Sequence, residues 1–589
     1  MKQFFKTMFA SLLGTLLASV IFIFLVIGII GAIAAISGSD KEIEVKENSV
    51  LVMKFDGPIT DRGSKNPFAN LGAMFAKEKP IGLDEILNNI EKAKEDENIK
   101  GIYMEISSIP AGIAMVEEIR NKLLEFKNTG KFILAYSEYY TQGAYYLASV
   151  ADKIYLNPQG AIDFKGLSAE LMFFKNALEK LEVEPQIIRH GKFKSAIEPF
   201  ILEKMSDENR EQTMTYIGSI WNHMVDGISK SRNISAEELN KIADEMSLQK
   251  AEDAVKYKFA DQLAYKDEIL EILKEKTNAE AIDKINSVSI ADYTFAKEPT
   301  KKEFSKDKIA VIYAIGEIED GEGDEETIGS ERISKAIREA RLDEKVKAIV
   351  LRVNSPGGSA LASEVMWREV VLAKQAKPVI VSMGNVAASG GYYISCAADT
   401  IVAEPNTITG SIGVFGVLFN AQGFMNNKLG ITFDTVKTNL HADIGSIYRP
   451  LTTSERDIIQ KSVEHVYDVF ITRVAEGRKL TKEQVDEIGQ GRVWSGVDAK
   501  RIGLVDVLGG LETAIEIAAQ KAGLENYKLL SLPKQKDPLE ELFSKGTSSV
   551  EEAMVKHFLG ENAKYYMTLD RLKRYSGIQA RMPYEVEIH

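Results

Sequence analysis

A serine flanked by small residues is the first candidate for chemistry in this sequence. Ser389 lies in Gly384-Asn-Val-Ala-Ala-Ser-Gly-Gly-Tyr392, which follows the apolar run Pro378–Ser382 and precedes a helical pattern. A serine at a strand-to-helix turn can present its hydroxyl, and small neighbours let a peptide backbone approach it. The same residues would also suit a helix cap followed by a glycine turn, so this motif alone leaves both interpretations open.

Two neighbouring motifs add groups that acyl transfer requires. Asn354-Ser-Pro-Gly-Gly358 follows the apolar run Ala348–Val353, where glycine amides can point at a developing oxyanion. Thr409-Gly-Ser411 supplies a further hydroxyl after the next predicted strand. Together the three motifs favour a nucleophilic serine over a structural one.

The candidate serine lies in the second copy of an internal repeat. The stretch GAYYLASVADKIYLNP from Gly143 returns as GGYYISCAADTIVAEP from Gly390, 247 positions later. The same offset joins Gly166 to Gly413. A register held over this length indicates a duplication.

The two copies differ where a hydrolase needs reactive side chains. Opposite Ser389 the first copy has Gln142. Opposite Lys194, in the segment that begins at Arg189, the second copy has Ala442 at a local offset of 248. One copy holds a hydroxyl and the other an amine. This pattern predicts a catalytic pair divided between the copies, with Ser389 as nucleophile and Lys194 as general base.

A lysine can take a proton from a serine only while its amine is neutral. Lys194 must therefore be buried enough to lower its pKa from ~10.4 toward the working pH. Lys192 is an alternative base, although its simpler interpretation is a solvated lysine, and His190 leaves a serine/histidine triad open. Glu198 is expected to be a helix-cap or ion-pair carboxylate near the lysine.

Short β-branched runs alternate with amphipathic patterns and would position these motifs. The predicted strands and helices include Ile309–Ile315, Ala348–Val353 and Pro378–Ser382 as strands, and Glu331–Arg341, Ala360–Gln375, Asp207–Ser231 and Ser454–Glu476 as helices. Strands that alternate with helices predict parallel sheets and an α/β fold class. The motifs would then lie where strands end.

An N-terminal apolar stretch is long enough to cross a membrane. The range Thr7–Ser39 contains no charged side chain, and ~20 apolar residues span a hydrocarbon core. Lys2 and Lys6 precede it and four acidic residues follow in 40–47, so the positive-inside rule predicts a cytoplasmic N-terminus with the remainder outside. The small residues Ala32 and Ala34 in Ala32-Ile33-Ala34 resemble a cleavage site and leave a cleaved signal peptide as the alternative.

Five segments follow from these patterns. They are an N-terminus with anchor (1–45), a first repeat that contributes the lysine (46–295), a polar linker (296–308), a second repeat that contributes the serine (309–533) and a polar tail (534–589) with a helix around Ser549–Phe558.

Composition excludes several classes of protein and of site. A net charge of −13 argues against nucleic-acid binding. Cys396 is the one cysteine, which rules out a thiolate metal cage, and no His-Glu-x-x-His occurs. The glycine-rich stretch from Gly321 lacks the lysine of a phosphate loop. We therefore expect neither a metal nor a cofactor.

The motifs together resemble the signal peptide peptidase A family in its long, duplicated form, also called protease IV. They are AASGGY, NSPGGS and TGSIGVFG in the second copy and GKFKSAIEPF in the first. The resemblance implies two tandem Clp protease/crotonase-like domains of repeated ββα units after the transmembrane helix. It also implies that Ser411 orients the lysine amine and that amides near Gly358 and Gly390 form the oxyanion hole.

The same resemblance implies a function. It indicates a membrane-anchored serine endopeptidase that degrades cleaved signal peptides and similar hydrophobic peptides through an acyl-enzyme. The catalytic domains would lie on the extracytoplasmic, periplasmic side of the cytoplasmic membrane, in a homotetramer. Two alternatives remain. One is a crotonase-like acyl-CoA enzyme, which would not need a serine in one copy and a lysine in the other. The second is a membrane scaffold that catalyses no reaction.

Overall fold

Two β-sheets form the body of the protein. The structure is a computed structural model that describes residues 2–37, 43–63, 80–299, 305–535 and 577–582; its elements are numbered here in chain order. The strands of the first half are β1 (Ser49–Met53), β2 (Ile59–Thr60), β3 (Ile81–Gly82), β4 (Ile99–Glu105), β5 (Phe132–Tyr140), β6 (Lys153–Ile162), β7 (Glu184–His190), β8 (Gln262–Leu263) and β9 (Ser287–Ser289). The strands of the second half are β10 (Lys308–Ile315), β11 (Glu317–Glu319), β12 (Thr327–Gly329), β13 (Val346–Ser355), β14 (Gly357–Ser359), β15 (Val379–Ala388), β16 (Thr400–Ala403), β17 (Ile408–Gly410), β18 (Val414–Asn420), β19 (Val493–Ser495), β20 (Val507–Leu508), β21 (Lys528–Leu532) and β22 (Gly577–Arg581).

Helices connect most of these strands. They are α1 (Lys2–Ser37), α2 (Leu83–Glu95), α3 (Ile113–Lys127), α4 (Gln142–Ala148), α5 (Lys175–Lys180), α6 (Glu198–Ile201), α7 (Asp207–Arg232), α8 (Ala236–Asp244), α9 (Ala251–Lys256), α10 (Lys266–Thr277), α11 (Ser330–Leu342), α12 (Ala360–Ala376), α13 (Gly390–Ser395), α14 (Thr453–Arg478), α15 (Lys482–Ile488), α16 (Gly496–Arg501) and α17 (Leu511–Ala522).

The two sheets share one strand order. The first sheet runs β9-β1-β4-β5-β6-β8 and is parallel throughout. The second repeats this order as β21-β10-β13-β15-β16-β20. Its two further strands, β17 and β19, extend it beside the end of β15. The duplication in sequence is therefore a duplication of architecture, and the predicted α/β class with parallel units is confirmed.

Both faces of each sheet are covered, as parallel sheets require. One face of the second sheet packs Ile349 and Leu351 against the helices that follow its strands. The other face packs Val350 and Ile380 against α17. Burial of each such side chain contributes roughly 1.5–3 kcal/mol to folding stability. This packing holds the strands in place, and with them the strand ends at which the site loops begin.

The predicted elements form close to their expected bounds. The strand expected at Pro378–Ser382 continues to Ala388 because its last residues gain a second partner in β17. The caps of the two long helices are present, since Ser206 accepts a hydrogen bond from Asn209 N and Thr452 from Glu455 N. The helix predicted around Ser549–Phe558 lies outside the described residues.

A third sheet, also of six strands, joins the two halves. Its order is β12-β11-β14-β22-β18-β7. The strand β7 comes from the first half, yet it pairs antiparallel with β18 of the second half, from Glu184 opposite Asn420 to His190 opposite Val414. This pairing carries the segment after β7 into the second half.

A buried ionic cluster also crosses between the halves. Arg352 on β13 is fully buried, and its guanidinium donates to Asp61 at 2.7 Å and to Glu118 at 2.6 Å. The second carboxylate oxygen of Glu118 accepts from Leu511 N, the first residue of α17. Because a buried charge is tolerated only when it is paired, this cluster fixes how the first half docks on the second.

The N-terminal helix α1 extends away from these layers. Its segment Phe4–Phe22 has a mean hydropathy of 1.7 over 19 residues, and none of it is buried against the rest of the protein. Its length and composition are compatible with a single-pass membrane anchor.

Candidate active site

Ser389 occupies the turn between β15 and α13. Its backbone has φ 54° and ψ −112°, a conformation that residues other than glycine adopt rarely and that is associated with functional turns. Two hydrogen bonds hold it, from Ser389 N to Gly410 O and from Tyr393 N to Ser389 O, both 2.8 Å. A methyl group on Gly390 would lie 2.7 Å from Ser363 Oγ, so a larger residue there would have to displace the Ser363 side chain.

Lys194 meets this serine from the first half of the chain. Its side chain is fully buried, and Nζ lies 2.9 Å from Ser389 Oγ. Two oxygens of Ser411 lie at similar distances from Nζ, Oγ at 3.0 Å and the carbonyl O at 3.1 Å. The structure thus brings together three of the residues singled out by sequence.

Burial favours the neutral form of this amine. Desolvation lowers the pKa of Lys194 well below its ordinary value. A neutral amine has two N–H donors and one lone pair. The carbonyl oxygen of Ser411 can only accept, and Ser411 Oγ can take the second N–H, so the lone pair remains for the hydroxyl hydrogen of Ser389. The geometry therefore suits a neutral lysine that accepts the serine proton.

Main-chain contacts hold the lysine segment in place. Phe193 N donates to Gln490 O at 3.0 Å. Gly491 has a φ of 83°, and a methyl group on it would lie 2.6 Å from Lys194 Cα. A methyl group on Gly413 would lie 3.1 Å from Lys194 Cδ. The lysine reaches the serine through a passage that two glycines keep open. Gly491 was not among the residues predicted from sequence, where its one signal is a glycine just before the second-half strand β19.

The glycine-rich turn after β13 lies against the nucleophile turn. Gly357 and Gly358 have φ values of 98° and 156°. A methyl group on Gly357 would lie 2.7 Å from Gly390 N, whereas one on Gly358 would lie 2.0 Å from Ile318 O. The glycine-rich turn and the amide of Gly390 therefore lie close together next to Ser389.

The other candidates from sequence have different surroundings. Lys192 is exposed, with Nζ 5.0 Å from the centre of the Phe193 ring. The ring of His190 stacks on Tyr467 at 4.0 Å between centroids. The Glu198 carboxylate accepts hydrogen bonds from Ser206 N and Oγ at the start of α7. Lys192 is therefore solvated, His190 is packed against an aromatic ring, and Glu198 has the helix-cap role.

The equivalent site in the first half is filled. Gln142 stands where the second half has Ser389, and its Oε1 accepts from Lys165 N and Gly166 N at 3.0 and 3.1 Å. Its Nε2 donates to Gly166 O at 3.1 Å. Gly166 matches Gly413 in the repeat. In the first half the Gln142 side chain therefore hydrogen-bonds to the main chain of this turn, whereas in the second half Ser389 stands at the equivalent position. Ala442, the match of Lys194, is exposed in the irregular segment 429–452.

Comparison with known proteins places both copies of the repeat in one family of sequences. The profile of Peptidase family S49 matches residues 125–280 and again residues 372–525. Protease 4 of Salmonella typhi is 40% identical over 524 residues, which cover 86% of this chain and 84% of that protein. The chloroplastic serine protease SPPA of Arabidopsis thaliana is 35% identical over 549 residues, which cover 91% and 78%. Among solved structures, a ClpP1 mutant from Listeria monocytogenes is 17% identical with a TM-score of 0.24, covering 35% of this chain and 94% of that one.

Proposed function

Because this chain belongs to peptidase family S49 and is a serine peptidase, we propose that Ser389 is its nucleophile and Lys194 its general base. The observation that carries this proposal is the 2.9 Å separation between Lys194 Nζ and Ser389 Oγ, with both side chains fully buried. That distance is within the range in which a base can take a proton directly. Burial lowers the pKa of the lysine, which supplies the neutral base that a serine nucleophile needs.

The reaction then proceeds in two halves. Ser389 Oγ attacks the substrate carbonyl while its proton passes to Lys194 Nζ, and the resulting ammonium returns that proton to the leaving amine. A water then attacks the acyl-enzyme with Lys194 again as base. Ser411 holds the amine through both of its oxygens, and the amides of Gly358 and Gly390 stabilise the oxyanion.

Labelling and kinetics on matched variants test this assignment. A fluorophosphonate probe is expected to label the wild type and not Ser389→Ala. Hydrolysis of a fluorogenic peptide should fall by at least about a hundredfold in Lys194→Ala, the usual loss for a general base. Lys192→Ala is the control, because that lysine is exposed two positions away. Equal labelling of Ser389→Ala, or equal rates in the two lysine variants, would exclude the dyad.

We also propose that the substrates are cleaved signal peptides and similar hydrophobic peptides met at the bilayer. The apolar segment Phe4–Phe22 supports this, because an anchored site meets peptides that leave the membrane. Lys2 and Lys6, which precede the uncharged stretch Thr7–Ser39, support a cytoplasmic N-terminus with the site outside. A phosphatase reporter that is active only outside the cytoplasm, fused after His589, should be active; an inactive fusion beside an active control would reverse the orientation.

A further proposal is that identical chains join head to tail in a ring. Ile188 on β7 is 2% exposed because β7 pairs with β18, yet its match in the second half, Val436, is 99% exposed. Conversely, the match of β18 in the first half lies in the irregular connection between β6 and α5, where Met172 is 57% exposed. Within one chain, β7 of the first half contacts β18 of the second half. The repeat equivalents of both segments are uncovered, so neighbouring chains can form the same contact through them.

The expected ring has four chains, the number implied by the resemblance to the duplicated family. Val436→Asp should shift the mass measured by light scattering in detergent from the ring to single chains, because a charge cannot be buried without a partner. Leu342→Asp is the control, since Leu342 is also exposed, at 65%, and lies outside both surfaces. An unchanged mass for Val436→Asp would place the interface elsewhere.

A further inference from the structure

The side-chain amide of Gln212, on α7, lies between the lysine segment and the second half of the chain. It is 1% exposed. Its Nε2 donates to Phe193 O at 3.1 Å and to Ser195 Oγ at 2.8 Å, on the two residues that flank Lys194. Its Oε1 accepts from Val493 N, at the start of β19, at 3.2 Å. One amide therefore connects the lysine segment of the first half to a strand of the second.

The orientation of this amide is set by its main-chain partners. The carbonyl of Phe193 can only accept and the N–H of Val493 can only donate, so the nitrogen of the amide must face the first and its oxygen the second. Asn209, one helical turn earlier on α7, also accepts from the Gln212 nitrogen, at 3.3 Å. The amide of Asn209 donates in turn to the buried carboxylate of Glu198 at 2.9 Å. Reversal of the Gln212 amide would break both main-chain bonds, so it is held one way round.

The strand at the other end of the amide also holds the nucleophile. Val493 lies opposite Gly410 in the antiparallel pair of β19 and β17, and Gly410 O accepts from Ser389 N at 2.8 Å. The carbonyl one residue before Val493 accepts from Ser411 N at 2.7 Å. Main-chain bonds thus run from this amide through β19 to both serines that contact the lysine amine.

The charged groups beside Gln212 have partners of their own. The Arg492 guanidinium pairs with Glu211 at 2.9 Å and lies 4.7 Å from the centre of the Phe193 ring. Burial is the cause that lowers the pKa of Lys194. Loosening of the lysine segment that let water reach the amine would therefore raise that pKa back toward its ordinary value.

We propose that Gln212 is the positioning residue of the general base, which fixes the lysine segment on β19 so that the Lys194 amine stays buried against Ser389. The inference rests on the proposed function of Ser389 and Lys194. Gln212 acts through the main chain on either side of the lysine. Its removal should therefore lower kcat far more than it changes KM.

Gln212→Met tests the proposal, because it keeps the length of the side chain and removes both ends of the amide. With a fluorogenic peptide, kcat should fall by about tenfold or more, since two buried main-chain groups lose their partner. The rising limb of kcat/KM against pH should move to higher pH, because the lysine becomes better hydrated. Gln212→Asn is a milder second variant that carries the same test if Gln212→Met does not fold. Its amide is one methylene shorter and cannot reach both partners, so both effects should appear in the same direction and be smaller.

Two controls separate positioning from general stability. Ser219→Ala removes a hydrogen bond between the same helix and the same strand, from Ser219 Oγ to Ser495 Oγ at 2.8 Å, without touching the lysine segment. Gln142→Met makes the same substitution at another buried amide, which bonds to main chain within the first half. Both controls should keep the rising limb at the pH of the wild type.

The dyad variants in the same assay distinguish this inference from the proposed function. A wild-type limb in both Gln212 variants would overturn the inference and leave the dyad standing. So would a limb that moves equally in Ser219→Ala, or a rate that falls only in proportion to the fraction of chains that a fluorophosphonate probe labels. Full activity in Ser389→Ala or Lys194→Ala would count against the dyad itself, and the inference would fall with it.

Discussion

Removal of the Ser411 hydroxyl gives a graded test of how the lysine amine is held. Lys194 Nζ has three oxygen neighbours, Ser389 Oγ, Ser411 Oγ and Ser411 O, at 2.9, 3.0 and 3.1 Å. Ser411→Ala deletes the second and leaves the main-chain carbonyl in place. The amine then keeps one of its two fixed acceptors, so its lone pair is aimed less tightly at the serine.

The expected loss follows from one hydrogen bond. A net contribution of about 1 kcal/mol corresponds to about fivefold in kcat, far less than loss of the base itself. The direction of the pH shift is also set. Ser411 Oγ accepts from the amine and favours its charged form, so its removal lowers the pKa of Lys194 further below its ordinary value. The rising limb of kcat/KM against pH should therefore move to lower pH, because the Lys194 amine becomes neutral at a lower pH.

A pH–rate profile with a fluorogenic peptide measures both effects. Ser395→Ala is the matched control, because it deletes a fully buried hydroxyl that bonds to Gly391 O at 2.7 Å on α13. The control should leave the limb where it is in the wild type. If Ser411→Ala lowered the rate equally at every pH, its hydroxyl would have a structural role only. A loss as large as that of Lys194→Ala would refute the reasoning that two acceptors share the task.

Three further outcomes follow from buried groups. Lys194→Met should raise the urea midpoint of unfolding, most at low pH and less as the pH approaches 10.5. The reason is that the lowered pKa of the folded lysine makes wild-type stability rise with pH across that window. A difference in midpoint between the two proteins that did not change with pH would contradict this. Arg352→Met leaves Asp61 and Glu118 without their buried partner and should lower the free energy of unfolding by about 3–5 kcal/mol, seen as a lower urea midpoint. An unchanged urea midpoint would show that the cluster is dispensable for stability. Burial raises the pKa of the Cys396 thiol to about 12, so iodoacetamide should modify the unfolded chain and not the native one, and native labelling would indicate local opening.

The repeat made most of the fold predictable. Strands such as β10 and β13 are runs of β-branched residues, and their helices carry the expected caps, so local pattern and final structure agree. The long helix predicted at Ser454–Glu476 forms as Thr453–Arg478. The comparison of copies also selected Ser389 and Lys194, since differences between duplicated positions indicate which side chains the shared fold does not require.

Contacts between distant segments could not be predicted in the same way. The pairing of β7 with β18 joins residues over 200 positions apart, and no periodicity in either segment specifies its partner. Gly491 lies against Lys194 only because that pairing exists. The role of Gln142 was equally hidden, because a glutamine that satisfies a turn has the same local pattern as an exposed one. The tail was predicted as polar and mixed in charge, which gave no indication that Gly577–Arg581 would form a strand.

The division of the pair between the two halves has a consequence for the timing of proteolysis during synthesis. A ribosome completes Lys194 long before Ser389, and the first half alone has a glutamine in place of a nucleophile. Under the proposed dyad, a nascent or truncated chain that lacks Ser389 has no nucleophile, however well its first half has folded. The same proposal makes activity depend on the docking of β7 on β18, so the peptidase would cut other chains only after its own assembly is finished.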